Sequence, residues 1–178
     1  MKRLIPFWVA LCITMGLSGV VSAEGGWVLV ENDDGIRTYE KKHSEKDTCE
    51  FKSVGLVSAP MAVLVAVIRD IPAFPEWSAM CVTTEVLDYK DRNNSVYYSV
   101  VDPPSSFENQ DMVINSSMQF DFKRGTAQID FSTTDTPQIP RQAGCVRLSD
   151  FTAQYRLVFF GKNTTQVTYE QKVAGSDG

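Results

Sequence analysis

Side chains that could perform catalysis are few in this sequence and do not form a known catalytic motif. His43, the only histidine, lies in the charged segment 42–47, where exposure to solvent is expected. The sequence has no nucleophile elbow, zinc-protease signature, paired CxxC or phosphate-binding glycine loop. Its acidic residues fall mostly on polar strand faces or in turns, which do not suit a general acid or base. We therefore expect no enzymatic activity and no cofactor.

Arg147 is the charged residue of greatest interest, because it stands among apolar neighbours on a predicted strand. It either holds the headgroup or hydroxyl of a ligand at the inner end of a cavity, or pairs with a carboxylate such as Asp111 on the same sheet. We favour the ion pair.

Residues 1–23 have the features of a secretory signal peptide. Lys2 and Arg3 precede an apolar stretch through Val21, and Val21-Ser22-Ala23 fits a cleavage site. A membrane anchor is the alternative, but Pro6 interrupts the stretch and no basic residues follow it. We expect cleavage after Ala23 and a secreted or periplasmic location.

The expected mature chain, residues 24–178, has the length of one domain with its own core. The remaining cysteines, Cys49, Cys81 and Cys145, have no metal-site spacing and allow at most one disulfide among them. We expect Cys81 to be a small buried residue. The formal net charge of the sequence is −5 at pH 7, so nucleic acid and an anionic membrane are poor partners. We expect a monomer.

The segment Met61–Ile68 predicts the central helix of the domain. Pro60 suits the first helical position, Ser58 is placed to cap it, and Asp70 to end it. Every residue of the segment is apolar, and the segment is too short to span a membrane, so we expect a helix that is buried on all sides. A second short helix or turn then carries Trp77.

Alternating apolar and polar residues predict strands in most of the remaining chain. The predicted strands cover 27–30, 36–42, 48–58, 82–89, 95–101, 111–122, 127–132, 145–160 as one long or two bent strands, and 165–173. A twisted sheet of this size curls, and its concave face must be covered or must hold a ligand. The pattern predicts an α+β fold with a curved antiparallel sheet and few helices around an apolar cavity.

Residues of the predicted concave face are candidate walls of that cavity, and for each of them core packing alone is the alternative. An apolar ligand buried there gains roughly 0.8 kcal/mol per methylene, and methionine side chains adapt to varied ligand shapes. The candidate ligand-binding residues are Trp77, Met80, Tyr98, Val100, Met112, Met118, Phe120, Phe131, Arg147 and Tyr155, with Val96 as a further wall residue.

Several short segments carry a family resemblance through their order and spacing. They are Trp27-Val28-Leu29-Val30, Gly35-Ile36-Arg37-Thr38-Tyr39, Phe51-Lys52-Ser53-Val54-Gly55, Pro75-Glu76-Trp77, Asn109-Gln110-Asp111-Met112-Val113, Gly144-Cys145-Val146-Arg147 and Thr164-Thr165-Gln166-Val167-Thr168-Tyr169. Together they resemble the START domain, a lipid-transfer module of the helix-grip superfamily. The resemblance spans essentially the whole expected mature chain.

The resemblance implies a helix-grip fold that encloses an acyl or sterol-like lipid and transfers it without catalysis. It implies loading through movement near 102–109 or 133–144, with transient membrane contact. Two departures stand out. Gln110-Asp111 replaces the Arg-Asp pair of the family, and the long C-terminal helix that covers the cavity in family members is not encoded before Gly178.

Two alternatives to lipid transfer remain open at this point. One is an enzyme of the same superfamily, such as a polyketide cyclase or aromatase, which needs acid–base groups in the cavity. The other is a truncated chain that no longer transfers lipid, because an uncovered apolar face suits a partner or aggregation.

Overall fold

The computed structural model describes residues 26–41, 48–103, 108–134 and 139–174. Within these ranges two short helices, α1 (Met61–Arg69) and α2 (Phe74–Trp77), are joined by a 3₁₀ turn, Ile71–Ala73. The strands are β1 (Trp27–Asp33), β2 (Ile36–Lys41), β3 (Thr48–Val57), β4 (Cys81–Tyr89), β5 (Asn94–Val101), β6 (Asn109–Asp121), β7 (Thr126–Thr133), β8 (Cys145–Arg147), β9 (Phe151–Gly161) and β10 (Thr164–Ala174).

The strands form one sheet in the order β1-β2-β3-β10-β9-β7-β6-β5-β4 with antiparallel neighbours, and β8 pairs parallel with the start of β6. The predicted α+β fold with a curved antiparallel sheet is confirmed. The segment predicted as one or two strands over 145–160 forms two. The predictions for residues 1–23, for His43 and for the chain beyond Ala174 fall outside the described residues and stay predictions.

Helix α1 begins differently from the prediction. Pro60 is the N-cap residue and not the first helical residue, and no side chain caps the helix, so the role predicted for Ser58 is wrong. The backbone carbonyl of Pro60 instead accepts hydrogen bonds from the N–H groups of Val63 and Leu64 at 3.0 and 3.3 Å. Asp70 ends the helix as expected, with its own N–H donating to the Ala66 carbonyl at 3.1 Å.

The prediction that α1 is buried on all sides is also wrong. Val65 and Ile68 are buried, whereas Val63 is 50% and Val67 38% exposed. The sheet offers the helix only one surface, so one face packs and the other stays in contact with solvent. None of the helices in the described ranges is long and apolar enough to cross a membrane.

The turns that join β6 to β7 and β9 to β10 lie side by side, and we call Phe122–Gly125 together with Phe159–Asn163 the hairpin end. The backbone N–H of Phe159 donates to the Gly125 carbonyl at 2.9 Å. Gly125 has a φ of +61°, and a Cβ there would lie 3.2 Å from the Cβ of Phe159. Glycine therefore allows both the left-handed backbone and the close approach of the two turns.

The middle of the concave face is the most tightly enclosed part of the core. Ile129 and Leu157 have no exposed surface there, on the central strands β7 and β9. They separate the hairpin end from the opposite end of the sheet, where β5, β7 and β10 finish and β6 and β9 begin.

Substituting Leu157→Ala should lower the free energy of unfolding by about 2 to 5 kcal/mol, because the removed side chain leaves a cavity in a closed part of the core. The matched control is Leu56→Ala, since Leu56 lies on β3 and is 54% exposed; its expected change is within about 0.5 kcal/mol. Urea unfolding followed by circular dichroism measures both. Equal losses in the two variants would contradict this description of the core.

Candidate functional site

A cavity of about 120 Å³ lies between the concave face of the sheet and residues 74–81, which run from α2 into the start of β4 and which we call the α2 corner. The cavity is at the end of the sheet opposite the hairpin end. Five of the predicted wall residues line it: Trp77, Met80, Met112, Phe131 and Tyr155. Further lining residues were not predicted from the sequence. They include Phe74, Tyr97, Ser99, Val101, Gln110, Leu148, Phe151, Ala153, Gln171 and Val173. Period-two alternation on β9 and β10 could have indicated the last three.

The chain from α2 into β4 forms one wall of the cavity. Met80 has a φ of +63°, in the left-handed region that side-chain-bearing residues rarely adopt. Its carbonyl accepts a hydrogen bond from the Asp102 N–H at 2.8 Å, which ties the corner to the end of β5. This turn brings Trp77, Met80 and Cys81 to the cavity.

The face of β5 that was predicted to line the cavity is the wrong one. Tyr97, Ser99 and Val101 line the cavity. Tyr98 and Val100 lie on the other face, and so does Val96, because successive residues of a strand point to opposite sides. The error has a physical cause: Val100 is only 2% exposed on its own side, so both faces of β5 are apolar and the pattern marks neither as the cavity side.

Met118 and Phe120 lie on the predicted face of β6 but do not line the cavity. Met118 is buried in the core, and Phe120 is 38% exposed and stacks on Phe122 with ring centroids 5.5 Å apart. The strand is 13 residues long, and the cavity occupies only its first part, at Gln110, Met112 and Ile114.

Arg147 forms the ion pair that the sequence analysis favoured. Its Nε donates to Asp111 Oδ1 at 2.8 Å and its Nη2 to Oδ2 at 3.0 Å. Asp111 is fully buried and also accepts hydrogen bonds from the Tyr98 hydroxyl and the Gln142 backbone N–H, both at 2.9 Å. The pair lies on the face of β6 away from the cavity, so the headgroup role considered for Arg147 is contradicted.

The surroundings of Asp111 set its ionisation. Burial disfavours the charged carboxylate, but the hydrogen bonds from Arg147, Gln142 and Tyr98 outweigh burial and lower the pKa of Asp111 below its usual 3.8. Burial and the hydrogen bond to Asp111 raise the pKa of Tyr98 to about 12. Asp111 is therefore ionised and Tyr98 protonated at neutral pH.

Within the described part of the chain, two buried polar atoms of cavity-lining residues have no hydrogen-bond partner. They are the indole Nε1 of Trp77 and the hydroxyl of Tyr155, both buried. Nearby, the Tyr169 hydroxyl donates to Gln171 Oε1 at 2.7 Å. Among the described lining residues none carries a charge. Such a wall is chemically suited to apolar groups.

The titratable groups of the wall are held in their neutral forms. Burial raises the pKa of the Cys81 thiol, and burial likewise raises the pKa values of Tyr97 and Tyr155 well above their usual range. A thiol or phenol that resists ionisation is a poor nucleophile or general base at neutral pH.

Cys81 is a lining residue and is partly exposed, which corrects the expectation that it is simply buried. Cys81 and Cys145 carry free thiols, so no two of the three expected mature cysteines are joined by a disulfide. Within the described parts of the chain, no three potential metal ligands come together.

Comparison with known proteins decides the family. A family model described as the START domain matches residues 12–173. The chain belongs to the START domain family. The match covers every described strand and helix up to Val173, so the resemblance read from short sequence segments is confirmed.

Individual relatives agree with this assignment. The chain is 24% identical to an uncharacterized protein of Pseudomonas aeruginosa over 96% of this chain and 82% of the relative. The structure matches a STAR-related lipid transfer protein of Xanthomonas axonopodis with a TM-score of 0.75, 24% identity and coverage of 85% and 82% of the two chains. It matches human STARD10 with a TM-score of 0.76, 20% identity and coverage of 88% and 63%. These matches confirm the START helix-grip fold.

Two more distant relatives are named as enzymes. One is a mouse acetyl-coenzyme A thioesterase, 20% identical over 88% of this chain but only 28% of the mouse protein. The other is an aromatase/cyclase of a Streptomyces species, with a TM-score of 0.52, 14% identity and coverage of 74% and 71%. The fold is therefore shared with enzymes as well as with lipid-transfer proteins.

Substituting Asp111→Asn should destabilise the START domain by about 3 kcal/mol at pH 7, because the guanidinium of Arg147 loses its buried counterion. The Asp111 carboxylate has a lowered folded-state pKa, so its contribution is present above the unfolded pKa of about 3.9 and is lost as pH falls through the folded value. The stability of the variant should accordingly fall less steeply than that of the wild type below about pH 4.

The control for this variant is Asp88→Asn, which changes an exposed carboxylate on β4. Thermal unfolding of the three proteins at a series of pH values gives the comparison. A wild-type-like stability of Asp111→Asn at pH 7 would contradict the structural role of the ion pair.

Proposed function

We propose that this START domain binds a hydrophobic lipid by enclosing it in the cavity and transfers it without catalysis. The observation that carries the proposal is the wall itself: an apolar surface of aromatic, aliphatic and thioether side chains without a charge among its described residues. Each methylene that moves from water into such a cavity contributes roughly 0.8 kcal/mol. An acyl chain or a polycyclic lipid is therefore the ligand class that gains most.

An enzyme of the cyclase or thioesterase type is the second candidate, because relatives with those names share the fold. Both reactions need groups that accept or donate protons near the reacting atoms. The titratable wall residues Cys81, Tyr97 and Tyr155 all have raised pKa values. This environment favours binding over catalysis.

Loading requires the cavity to open, since about 120 Å³ is small for a whole lipid. The described parts of the segments 102–109 and 133–144 border the cavity end of the sheet, and we propose that these segments move during loading. Their central residues, 104–107 and 135–138, lie outside the described ranges. We also propose that the protein is secreted, that it is cleaved after Ala23 and that it is a monomer.

We also propose that the hairpin end contacts a membrane, separately from the loading of lipid at the cavity end. Phe122 is 85%, Phe160 63% and Phe159 58% exposed. Lys123 and Lys162 stand in the same two turns, and exposed aromatic rings beside basic residues favour the bilayer interface. The hairpin end lies opposite the cavity, so this contact leaves the cavity end free.

The membrane contact is tested by the double substitution Phe122→Ser and Phe160→Ser, which should reduce co-sedimentation with phosphatidylcholine vesicles about tenfold because two exposed rings are lost. The control is Val82→Ser, which removes an apolar side chain that is 53% exposed on β4. Unchanged sedimentation of the double variant would contradict contact through the hairpin end.

Lipid transfer is tested by the substitution Ala153→Leu, which places three additional carbons in the cavity. The rate at which pyrene-labelled monoacylglycerol moves from donor to acceptor vesicles should fall about tenfold, because the lipid competes with the new side chain for space. The control Ala66→Leu adds the same atoms on the exposed face of α1.

Transfer at the wild-type rate by Ala153→Leu would contradict enclosure in this cavity. In the same experiment, mass spectrometry measures the molecular mass of the lipid recovered from the acceptor vesicles. An unchanged mass agrees with transfer, and a shifted mass would favour the enzyme.

A further inference from the structure

We infer that the membrane contacted by the hairpin end is an anionic one, and that helix α1 takes part in the contact. The inference rests on the membrane contact proposed above and names the chemistry of that partner. It does not depend on which lipid the cavity holds.

Helix α1 lies at the same end of the molecule as the hairpin end. Just before the helix begins, the Ala59 carbonyl accepts a hydrogen bond at 2.9 Å from Thr165 Oγ1, near the start of β10. At the other end of the helix, the guanidinium of Arg69 donates to the carbonyl of Arg92, in the turn between β4 and β5. That turn lies beside the β6–β7 turn, because the start of β5 pairs with the later part of β6. The helix therefore spans this end from β10 to the β4–β5 turn.

The outward face of α1 is apolar. Val63 and Val67 are 50% and 38% exposed, and Ala62 and Ala66 are exposed as well. The segment Met61–Ile68 contains no polar side chain. The helix face and the exposed phenylalanine rings of the hairpin end are therefore apolar surfaces at one end of the sheet. A helix with such a face can lie in the plane of a bilayer interface, with its apolar side toward the acyl chains.

Basic side chains border these apolar surfaces, although the chain as a whole is acidic, with a formal net charge of −5. They lie at the end of α1 and in the turns that join β4 to β5, β6 to β7 and β9 to β10, and all are exposed. They are Arg69, Lys90, Arg92, Lys123, Arg124 and Lys162. The net charge alone predicts a poor fit to an anionic membrane, but net charge does not show where the basic residues lie.

Acidic residues in or next to the same segments are fewer than the basic ones. They are Asp70, Asp88, Asp91 and Asp121. Asp121 forms an ion pair with Arg124 at 3.6 Å, and Asp91 accepts hydrogen bonds from backbone N–H groups of its own turn. The acidic β1–β2 turn lies at the other edge of the sheet, beyond β3. The excess of positive charge opposes a symmetric contact between two copies of this chain and favours an anionic surface.

Flotation of the protein with two kinds of vesicle tests the inference: phosphatidylcholine alone, and phosphatidylcholine with about 30% phosphatidylglycerol as the anionic lipid. The affinity for the anionic vesicles should be about tenfold higher at about 0.1 M NaCl, because each Lys or Arg near an anionic surface strengthens binding. The difference should disappear at about 1 M NaCl, where the Debye length falls to about 3 Å. Binding to phosphatidylcholine alone measures the apolar part of the contact.

The double substitution Lys123→Gln and Lys162→Gln assigns the preference to the hairpin end. It should reduce the affinity for the anionic vesicles about tenfold and leave the affinity for phosphatidylcholine unchanged. The matched control is Arg156→Gln with Lys172→Gln, which removes the same amount of charge from exposed residues on the outer face of β9 and β10. The control should keep the wild-type preference.

The double substitution Val63→Ser and Val67→Ser tests the part of helix α1. It should weaken binding to both kinds of vesicle about fivefold, because two exposed apolar side chains of the helix are lost. Val82→Ser on β4 is again the control, and circular dichroism checks that each variant keeps its fold.

The outcomes distinguish the inference from the membrane contact on which it rests. Equal binding of the wild type to both kinds of vesicle overturns the inference while the membrane contact stands. An anionic preference that survives the two lysine substitutions also overturns it, and so does wild-type binding by the helix variant. Light scattering without vesicles tests for a second copy of the chain, and a dimer that the helix variant dissociates would overturn the inference as well. If the wild type floats with neither kind of vesicle, the proposed membrane contact fails and the inference fails with it.

Discussion

The burial of one concave sheet face beneath two short helices is the constraint on which the rest of the structure depends. A long antiparallel sheet must curl, and the helices touch only parts of the surface that this creates. Near the middle the covering is complete, as at Ile129 and Leu157. At the end opposite the hairpin end, the α2 corner is separated from the sheet, and the space between them is the cavity.

The charged side chains of this region lie on the face of β6 that points away from the cavity. On the outer face Asp111 gathers hydrogen bonds from Arg147, Tyr98 and Gln142, which ties the segment after residue 139 to the sheet. On the inner face Met112 and Ile114 contribute only apolar surface to the wall. The charges of this region are therefore paired on the far side of the strand from the cavity.

Strand positions and element order were predictable from sequence because they depend on local signals. Alternation and turn residues mark β6, β7, β9 and β10 without reference to the rest of the chain. The pairing of Arg147 with Asp111 was likewise predictable, since a charged residue among apolar neighbours needs a partner. The face of β5 was not, because the packing against Val100 makes its outer side as apolar as its inner side.

The extent of the cavity could not be read from sequence either. Met112 and Met118 lie on the same face of β6, yet only Met112 is a wall residue, since the position of the α2 corner decides where the cavity ends. Trp77 and Tyr155 were predictable as wall residues. That their polar atoms have no partner depends on distances between elements remote in sequence, and only the three-dimensional structure shows it.

Native mass spectrometry of the protein, purified under conditions that retain its lipids, tests the central claim most directly. The account predicts one lipid bound to each chain, and loss of that lipid from Ala153→Leu. A chain that carries no lipid, or an adduct that persists undiminished in Ala153→Leu, would contradict enclosure of a lipid in this cavity.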